Sequence, residues 1–381
     1  MVAMDLSLTE KQEALKSEAR EFFERECPTS LVREMERDER GYPTELWERM
    51  AALGWMGLPF PEWYGGGGGS LTDLAVLLEE FGRALVPGPF FNSVAVVGLT
   101  ILDAGSDEQK AAILPRIADG SLIATAALLE EDARYRPEAI RMPLETREGQ
   151  SVLNGVKMFV EYANSADVML TPVRTSQNGD SEKGVTLALI SASDAGIEAT
   201  SLDSIARDRQ FALQFEDVSV SPDAILGSVG DAWPILKRAL DRATLLHCAQ
   251  SVGGAQRVLE MTVDYTKQRV QFDRPIASFQ SVQHDCADMV IAIDSARLAV
   301  YQAITRIEDG QNADKEIALA KTITNHAYKW TTLTAQQVHG GIAFMEEYDL
   351  QLWTRRAKVA ELKFGASSGY TESFAQQMGL A

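Results

Sequence analysis

Two long stretches near the C-terminal end, residues 276–309 and 311–339, contain neither glycine nor proline, and they constrain the fold more than anything else in the chain. With no residue to break the hydrogen-bond ladder, each predicts a helix of about 25 to 30 residues, and helices of that length build a bundle about 40 Å tall. A last helix is expected over 347–364.

Upstream, the texture changes twice. Residues 122–129, 151–160, 168–174, 185–190 and 211–220 are short runs rich in Val, Thr, Leu and Phe, separated by turn residues, and they read as strands. Asn154-Gly155 offers the positive backbone angles of a tight hairpin turn. Together these runs predict a small barrel or sandwich over 120–227. The first third reads as helices: Thr9-Glu10-Lys11-Gln12 fits a capping box opening a helix that Pro28 would close, and others are expected at 44–53, 71–85, 93–103 and 107–118. The fold class is therefore mostly α with a central β domain. It has an N-terminal helical domain over 1–119, a middle β-barrel domain over 120–228 and a C-terminal four-helix bundle over 229–381.

Composition narrows the function. A formal charge of −19 with no local basic stripe opposes phosphate backbones, so no nucleic-acid partner is expected. The apolar runs are too short to cross a bilayer, and Met1-Val2-Ala3-Met4-Asp5 lacks the charged and apolar regions of a secretory leader, which leads us to expect a cytoplasmic protein with no membrane insertion. Cys27, Cys248 and Cys286 are far apart and odd in number, as reduced thiols would be, and the four histidines complete no metal-ligand spacing.

The specific signals lie in the C-terminal half. Tyr265-Thr266-Lys267-Gln268-Arg269-Val270-Gln271-Phe272 is followed by Pro275-Ile276, Phe279-Gln280 and Ala287-Asp288-Met289, and later by Gln337-Val338-His339-Gly340-Gly341-Ile342 and Arg355-Arg356-Ala357. On these residues, and on the helical, β and helical domain order, the chain resembles the acyl-CoA dehydrogenases. The Val-His-Gly-Gly-Ile ending is similar to a subgroup that includes enzymes acting on steroid side chains. The resemblance implies FAD as cofactor: Arg269 would face its diphosphate, Phe272 would pack near the adenine, and Gln280 would join the cofactor contacts. Gln337, Gly340 and Gly341 would approach the ADP half from a neighbouring subunit. Those contacts imply an oligomer, homo- or heteromeric and built as a dimer of dimers. The resemblance also implies an acyl-CoA thioester as substrate and an electron-transfer flavoprotein as redox partner.

Such enzymes oxidise an acyl thioester to the 2,3-enoyl thioester, and a glutamate of raised pKa takes the α-proton. Three positions could carry it by resemblance. The one near the chain end is Phe364; the one ten residues before Gly253 is Ala243; the one three residues before Gly253, used in the subgroup, is Gln250. Gln250 has the shape of glutamate but cannot accept a proton at neutral pH. Three explanations stay open: an otherwise normal enzyme with a disabled base, the non-basic subunit of a heteromeric dehydrogenase, or different flavin or CoA chemistry. A further alternative is a plain hydrogen-bonding role for Gln250 in the bundle core, with the base elsewhere.

The β domain departs from the family too. Thr-Glu-Pro and Trp-Ile-Thr stretches that flank the isoalloxazine ring correspond here to Glu130-Glu131-Asp132 and Phe159-Val160-Glu161. Phe159 can still stack on a ring, whereas Glu161 puts a carboxylate in place of a hydroxyl donor. Other features read as structural. Gly365-Ala366-Ser367-Ser368-Gly369 has the nucleophile-elbow spacing without the strand or the downstream histidine. Gly65 to Gly69 is expected to be a flexible surface loop, His339 a helix-terminal packing residue, Cys248 and Cys286 small core residues, and Glu79-Glu80 and Glu346-Glu347 solvated faces.

Overall fold

A computed structural model describes residues 6–147, 149–176 and 180–380, so the opening Met1 to Asp5 lies outside the described residues. The helices are α1 (Glu10–Glu26), α2 (Thr29–Met35), α3 (Thr44–Ala52), α4 (Leu71–Ala84), a π-helical turn (Phe91–Gly98), α5 (Leu99–Ala104), α6 (Asp107–Ala118), α7 (Trp233–Gln268), α8 (Gln280–Glu308), α9 (Asp314–His339), α10 (Leu350–Ala360) and α11 (Ser367–Gln377). The strands are β1 (Ala124–Ala126), β2 (Leu144–Arg147), β3 (Gln150–Glu161), β4 (Val168–Arg174), β5 (Val185–Ser191), β6 (Ile197–Leu202), β7 (Gln210–Val220), β8 (Ile225–Leu226), β9 (Val270–Gln271) and β10 (Arg274–Pro275). N-terminal helices, central β sheets and a C-terminal helical region thus follow one another as expected. No helix among the described residues is long and apolar enough to cross a membrane.

The chain is organised as two compact units, each assembled from separate stretches of sequence. The helical unit joins Met1–Arg33, Ser70–Val86 and Thr244–Ala381. Its first helix starts as its sequence dictates: the Thr9 side chain accepts from the Gln12 amide at 3.3 Å, and the Gln12 side chain accepts from the Thr9 amide at 2.9 Å. Helix α4 crosses α7 through glycines. A Cβ on Gly82 would sit 1.7 Å from the Gln250 carbonyl oxygen, and one on Gly253 would sit 1.8 Å from that of Glu79, so only glycine lets the two backbones meet.

That crossing corrects the reading of Glu79 and Glu80 as solvated. Both are 2 % exposed, because α4 is buried all round from Asp73 to Gly82. Their charges are met by cations distant in sequence. Arg20 engages Glu80 through two nitrogens at 2.8 and 3.1 Å, while Glu79 has Lys16 at 3.1 Å and Arg297 at 3.5 Å. Such pairs make a buried carboxylate tolerable rather than adding much net stability.

The β unit comprises Glu34–Gly69 and Pro87–Ala243. It holds two four-stranded sheets, ordered β1-β4-β5-β8 and β2-β3-β7-β6, around a core that includes Leu153, Val160, Met169, Phe211 and Phe215. The Asn154-Gly155 hairpin is not formed. Both residues lie inside β3, where the register with β7 shifts between Leu153 and Gly155, and Asn154 exchanges hydrogen bonds with Asp217 at 2.9 and 3.1 Å. Gly155, at φ +147, is used for a bulge instead of a turn. The Gly65 to Gly69 run is also more constrained than a loose loop. The Gly65 to Gly69 amides donate to the carbonyls of Glu62, Pro61, Gly57, Phe60 and Leu58, and a Cβ on Gly66 would meet the Phe60 oxygen at 2.0 Å.

Candidate functional site

In the helical unit the expected nucleotide contacts follow the C-terminal ends of α7 and α9, apart from Gln280, which opens α8. Helix α7 stops at Gln268, the Arg269 amide still donates to the Tyr265 carbonyl at 2.8 Å, and the chain then folds into the β9–β10 hairpin. Phe272 and Asp273 form its turn at φ +54 and +62, the left-handed pair of a type I′ turn. Phe272 is thus held at positive φ while 85 % exposed, a strained and unburied aromatic. Its ring meets Phe279 edge-on, and Arg274 lies 4.2 Å from the Phe279 centroid. Arg269 and Gln280, the latter at the start of α8, are exposed.

Helix α9 ends at His339, and Gly340 leaves it at φ +69, ψ −145, a region open essentially to glycine alone. A Cβ on Gly340 or Gly341 would meet nothing within 4 Å. Nothing among the described residues therefore crowds Gly341, and its lack of a side chain leaves room for a group arriving from outside. Gln337 is exposed near the same helix end. The two helix ends are tied together: the Tyr265 ring stacks on His339 at 4.3 Å and 24°, and the Tyr265 hydroxyl donates to the His339 carbonyl at 3.2 Å. His339 is buried, as packing required. Its Nδ1 lies 2.7 Å from the Ala335 carbonyl, an acceptor only, so Nδ1 carries the proton, and burial lowers its pKa and keeps the ring neutral. Exposed donors and an uncrowded glycine step at one bundle end suit the diphosphate half of a dinucleotide.

The three positions considered for a base carry no carboxylate. Ala243 is fully buried on α7, and Gln250, two turns on along the same helix, is half-buried. Phe364 is 4 % exposed, turned at φ +60, and meets the His247 ring edge-on at 5.8 Å. Two α9 side chains set the approach to it: Lys321 donates to the Ala360 carbonyl at 2.9 Å, and Asn325 to that of Glu361 at 3.2 Å, closing the end of α10. Burial pulls the Lys321 ammonium down to about 8. Below that pH the buried charge costs stability. Between about 8 and the unfolded value of 10.5 the folded state sheds the proton first, so stability rises with pH, and above it the difference ends. Lys321→Met should therefore melt higher than wild type at pH 7, with the gap narrowing as pH climbs through that window in a calorimetric series.

The β unit places Phe159 and Glu161 on one strained corner. Phe159 (φ +56) and Tyr162 (φ +53) bracket Glu161, where the β3–β7 register shifts a second time between Lys157 and Val160. Phe159 is 43 % exposed, whereas Tyr162 is buried and its hydroxyl accepts from the Gly88 amide at 2.9 Å. The Asn92 amide donates to the Glu161 carboxylate at 2.8 Å, and the Thr125 hydroxyl to its backbone carbonyl at 2.6 Å. Asn92 comes from the π-helical turn, a wide-helix element that re-aims side chains. Glu130 is structural: it takes the fully buried Lys157 ammonium at 2.8 Å and the Arg141 and Met142 amides. Sequence reasoning missed Asn92 and Lys321, and it quoted Tyr265 as part of a motif without giving it a role. A lone Asn inside the apolar run 90–98 was the one visible hint of the first. Among the described residues no group of three or more His, Cys, Asp or Glu could hold a metal ion.

Comparison with known proteins bears on both ends of the chain. Residues 230–378 match the family model described as acyl-CoA dehydrogenase, C-terminal domain, and residues 9–121 match the acyl-CoA dehydrogenase, N-terminal domain. Acryloyl-CoA reductase (NADH) of Anaerotignum propionicum is 31% identical, with 96% of this chain and 94% of that protein covered. Butyryl-CoA dehydrogenase from Megasphaera elsdenii superposes with a TM-score of 0.90 at 26% identity, over 98% of this chain and 100% of that one. A chain of the ChsE4-ChsE5 complex from Mycobacterium tuberculosis gives 0.89 at 26% identity, over 99% and 100%.

Proposed function

The chain belongs to the acyl-CoA dehydrogenase family and is a flavin oxidoreductase of that type, and on this premise we propose that it works as one subunit of a heteromeric enzyme oxidising an acyl-CoA to its 2,3-enoyl-CoA. One observation carries the reading: Ala243, Gln250 and Phe364 leave the chain without a carboxylate at any position where the resemblance puts the base. A partner chain of the same fold then provides the glutamate. This subunit lends its bundle end to the partner's FAD. A complex of two differently named chains among the solved relatives supports such an assembly.

Arg269 would present paired donors to the diphosphate, Gly340 and Gly341 would let the backbone come close to it, Gln280 and Gln337 would add amide donors, and Phe272 would offer its ring to the adenine. When bound, FAD supplies the electron sink for the hydride leaving the β-carbon, and an electron-transfer flavoprotein takes the electrons on. The Gln250 amide lacks a basic oxygen and would not remove the α-proton. Glu161, fixed by Asn92, sets negative charge where the family presents hydroxyls to the flavin ring, so this chain's own ring-side corner is a poor fit for flavin.

The test is flavin bleaching with a panel of acyl-CoA thioesters, run on the chain alone, on the complex purified from the native host, and on each with Gln250→Glu. The complex should bleach, the chain alone should not, and the substitution should leave the complex unchanged. Activity gained by Gln250→Glu in the chain alone would show instead an enzyme whose own base is missing.

A further inference from the structure

We propose that Tyr265 and His339 are positioning residues: a clasp that sets the spacing between Arg269 and Gly340-Gly341, and thereby the affinity for the nucleotide half of FAD. The clasp rests on the bundle-end reading above and adds to it two residues that need not touch the cofactor.

It has parts that act on each side of the grip. Tyr265 sits one turn before Arg269, whose amide donates straight to the Tyr265 carbonyl at 2.8 Å. His339 directly precedes Gly340. The last carbonyls of a helix lack intrahelical partners, and that of His339 takes the Tyr265 hydroxyl at 3.2 Å, which fixes the peptide leading into Gly340. Ring stacking at 4.3 Å holds the same two residues from the side, Tyr348 closes on His339 at 5.5 Å, and the Nδ1 bond to Ala335 at 2.7 Å stops the imidazole from turning. Gly340 has no side chain to steady it, its amide donates back to the Gln336 carbonyl of α9, and no Cβ there or on Gly341 would touch a neighbour, so its placement follows the end of α9 that His339 closes. Arg269 is likewise exposed and lies beyond the helix end. Without the clasp the two ends of the grip would be held to each other less closely, although α7 and α9 still meet at Gly254 and Tyr328, and binding a rigid diphosphate would carry the cost of ordering them.

Tyr265→Phe keeps the ring and removes only the hydroxyl; His339→Phe replaces the imidazole with a larger aromatic ring and removes the Nδ1 bond; Tyr265→Ala removes both ring and hydroxyl. FAD affinity is measured by flavin fluorescence on the chain with whatever subunit copurifies, beside the melting temperature of the flavin-free protein and kcat at saturating FAD. The two Phe variants should each bind FAD about tenfold more weakly, with kcat at saturation unchanged and flavin-free melting only slightly lower, and Tyr265→Ala should lose more. Wild-type affinity in both Phe variants would overturn the clasp, as would a loss matched by a fall in flavin-free melting, which marks plain destabilisation. Arg269→Ala in the same series separates the two ideas: if it alone sheds FAD, the grip stands without the clasp, and if no variant sheds it, both are wrong.

Discussion

Gly253→Ala is expected to destabilise the helical unit by about 3 to 5 kcal/mol, a severe loss for one added methyl. The new Cβ would lie 1.8 Å from the Glu79 carbonyl oxygen and 2.6 Å from its carbon, and both are backbone atoms that no rotamer change can move. Helices α4 and α7 would have to part. Apolar α4 side chains such as Leu74, Leu77 and Leu78, all fully buried, would lose their close fit, and the buried Glu79 would be drawn away from Lys16 and Arg297. Gly82→Ala attacks the same crossing from the other side, 1.7 Å from the Gln250 oxygen, and should cost a similar amount. Calorimetry should record a melting temperature lower by about 10 °C for either variant. A shift of a degree or two would mean that the helices do not cross this closely.

Arg269→Ala should leave melting of the flavin-free protein untouched and weaken FAD binding in the assembled enzyme by about 30- to 100-fold, since charge-assisted hydrogen bonds to a diphosphate are worth about 2 to 3 kcal/mol together. Arg269 is exposed and holds nothing in its own unit by its side chain among the described contacts, so stability does not depend on it. Gly341→Ala is the informative companion. Its Cβ meets nothing within 4 Å, so it should be silent in stability, unlike the same change at Gly253, yet it should hinder a cofactor that approaches the backbone. Fluorescence titration of flavin into stripped protein reads both. Undiminished FAD binding in both variants would remove the bundle end from the cofactor site.

The features legible in the sequence were those whose cause is local. The Thr9–Gln12 capping box, the helix at Asp107–Ala118 and the strand at Val168–Arg174 stand where their own residues place them, because caps, periodicity and β-branched runs act within a few positions. What was missed depends on partners far along the chain. Glu79 and Glu80 look like a solvated pair until Lys16, Arg20 and Arg297 are folded against them. Asn154-Gly155 has the composition of a turn, but Asp217 on β7 captures Asn154 and makes a bulge of it. Strand β6 is exposed along most of its length, so no alternation announced it, and the flat pattern reflects a sheet edge rather than a loop. The site divides the same way. Arg269, Gly340 and Gly341 were recognisable as a motif, whereas the Tyr265–His339 stack and the Asn92–Glu161 bond join residues about seventy positions apart and exist only once the chain is folded.

The most direct test of a shared active site is to purify the chain from its native host under mild conditions, identify every polypeptide that comes with it, and count flavin against chains. We predict a second chain of the same fold with glutamate where this one has Gln250, and FAD on only half of the subunits. A homomeric assembly with FAD bound tightly on every chain would contradict it.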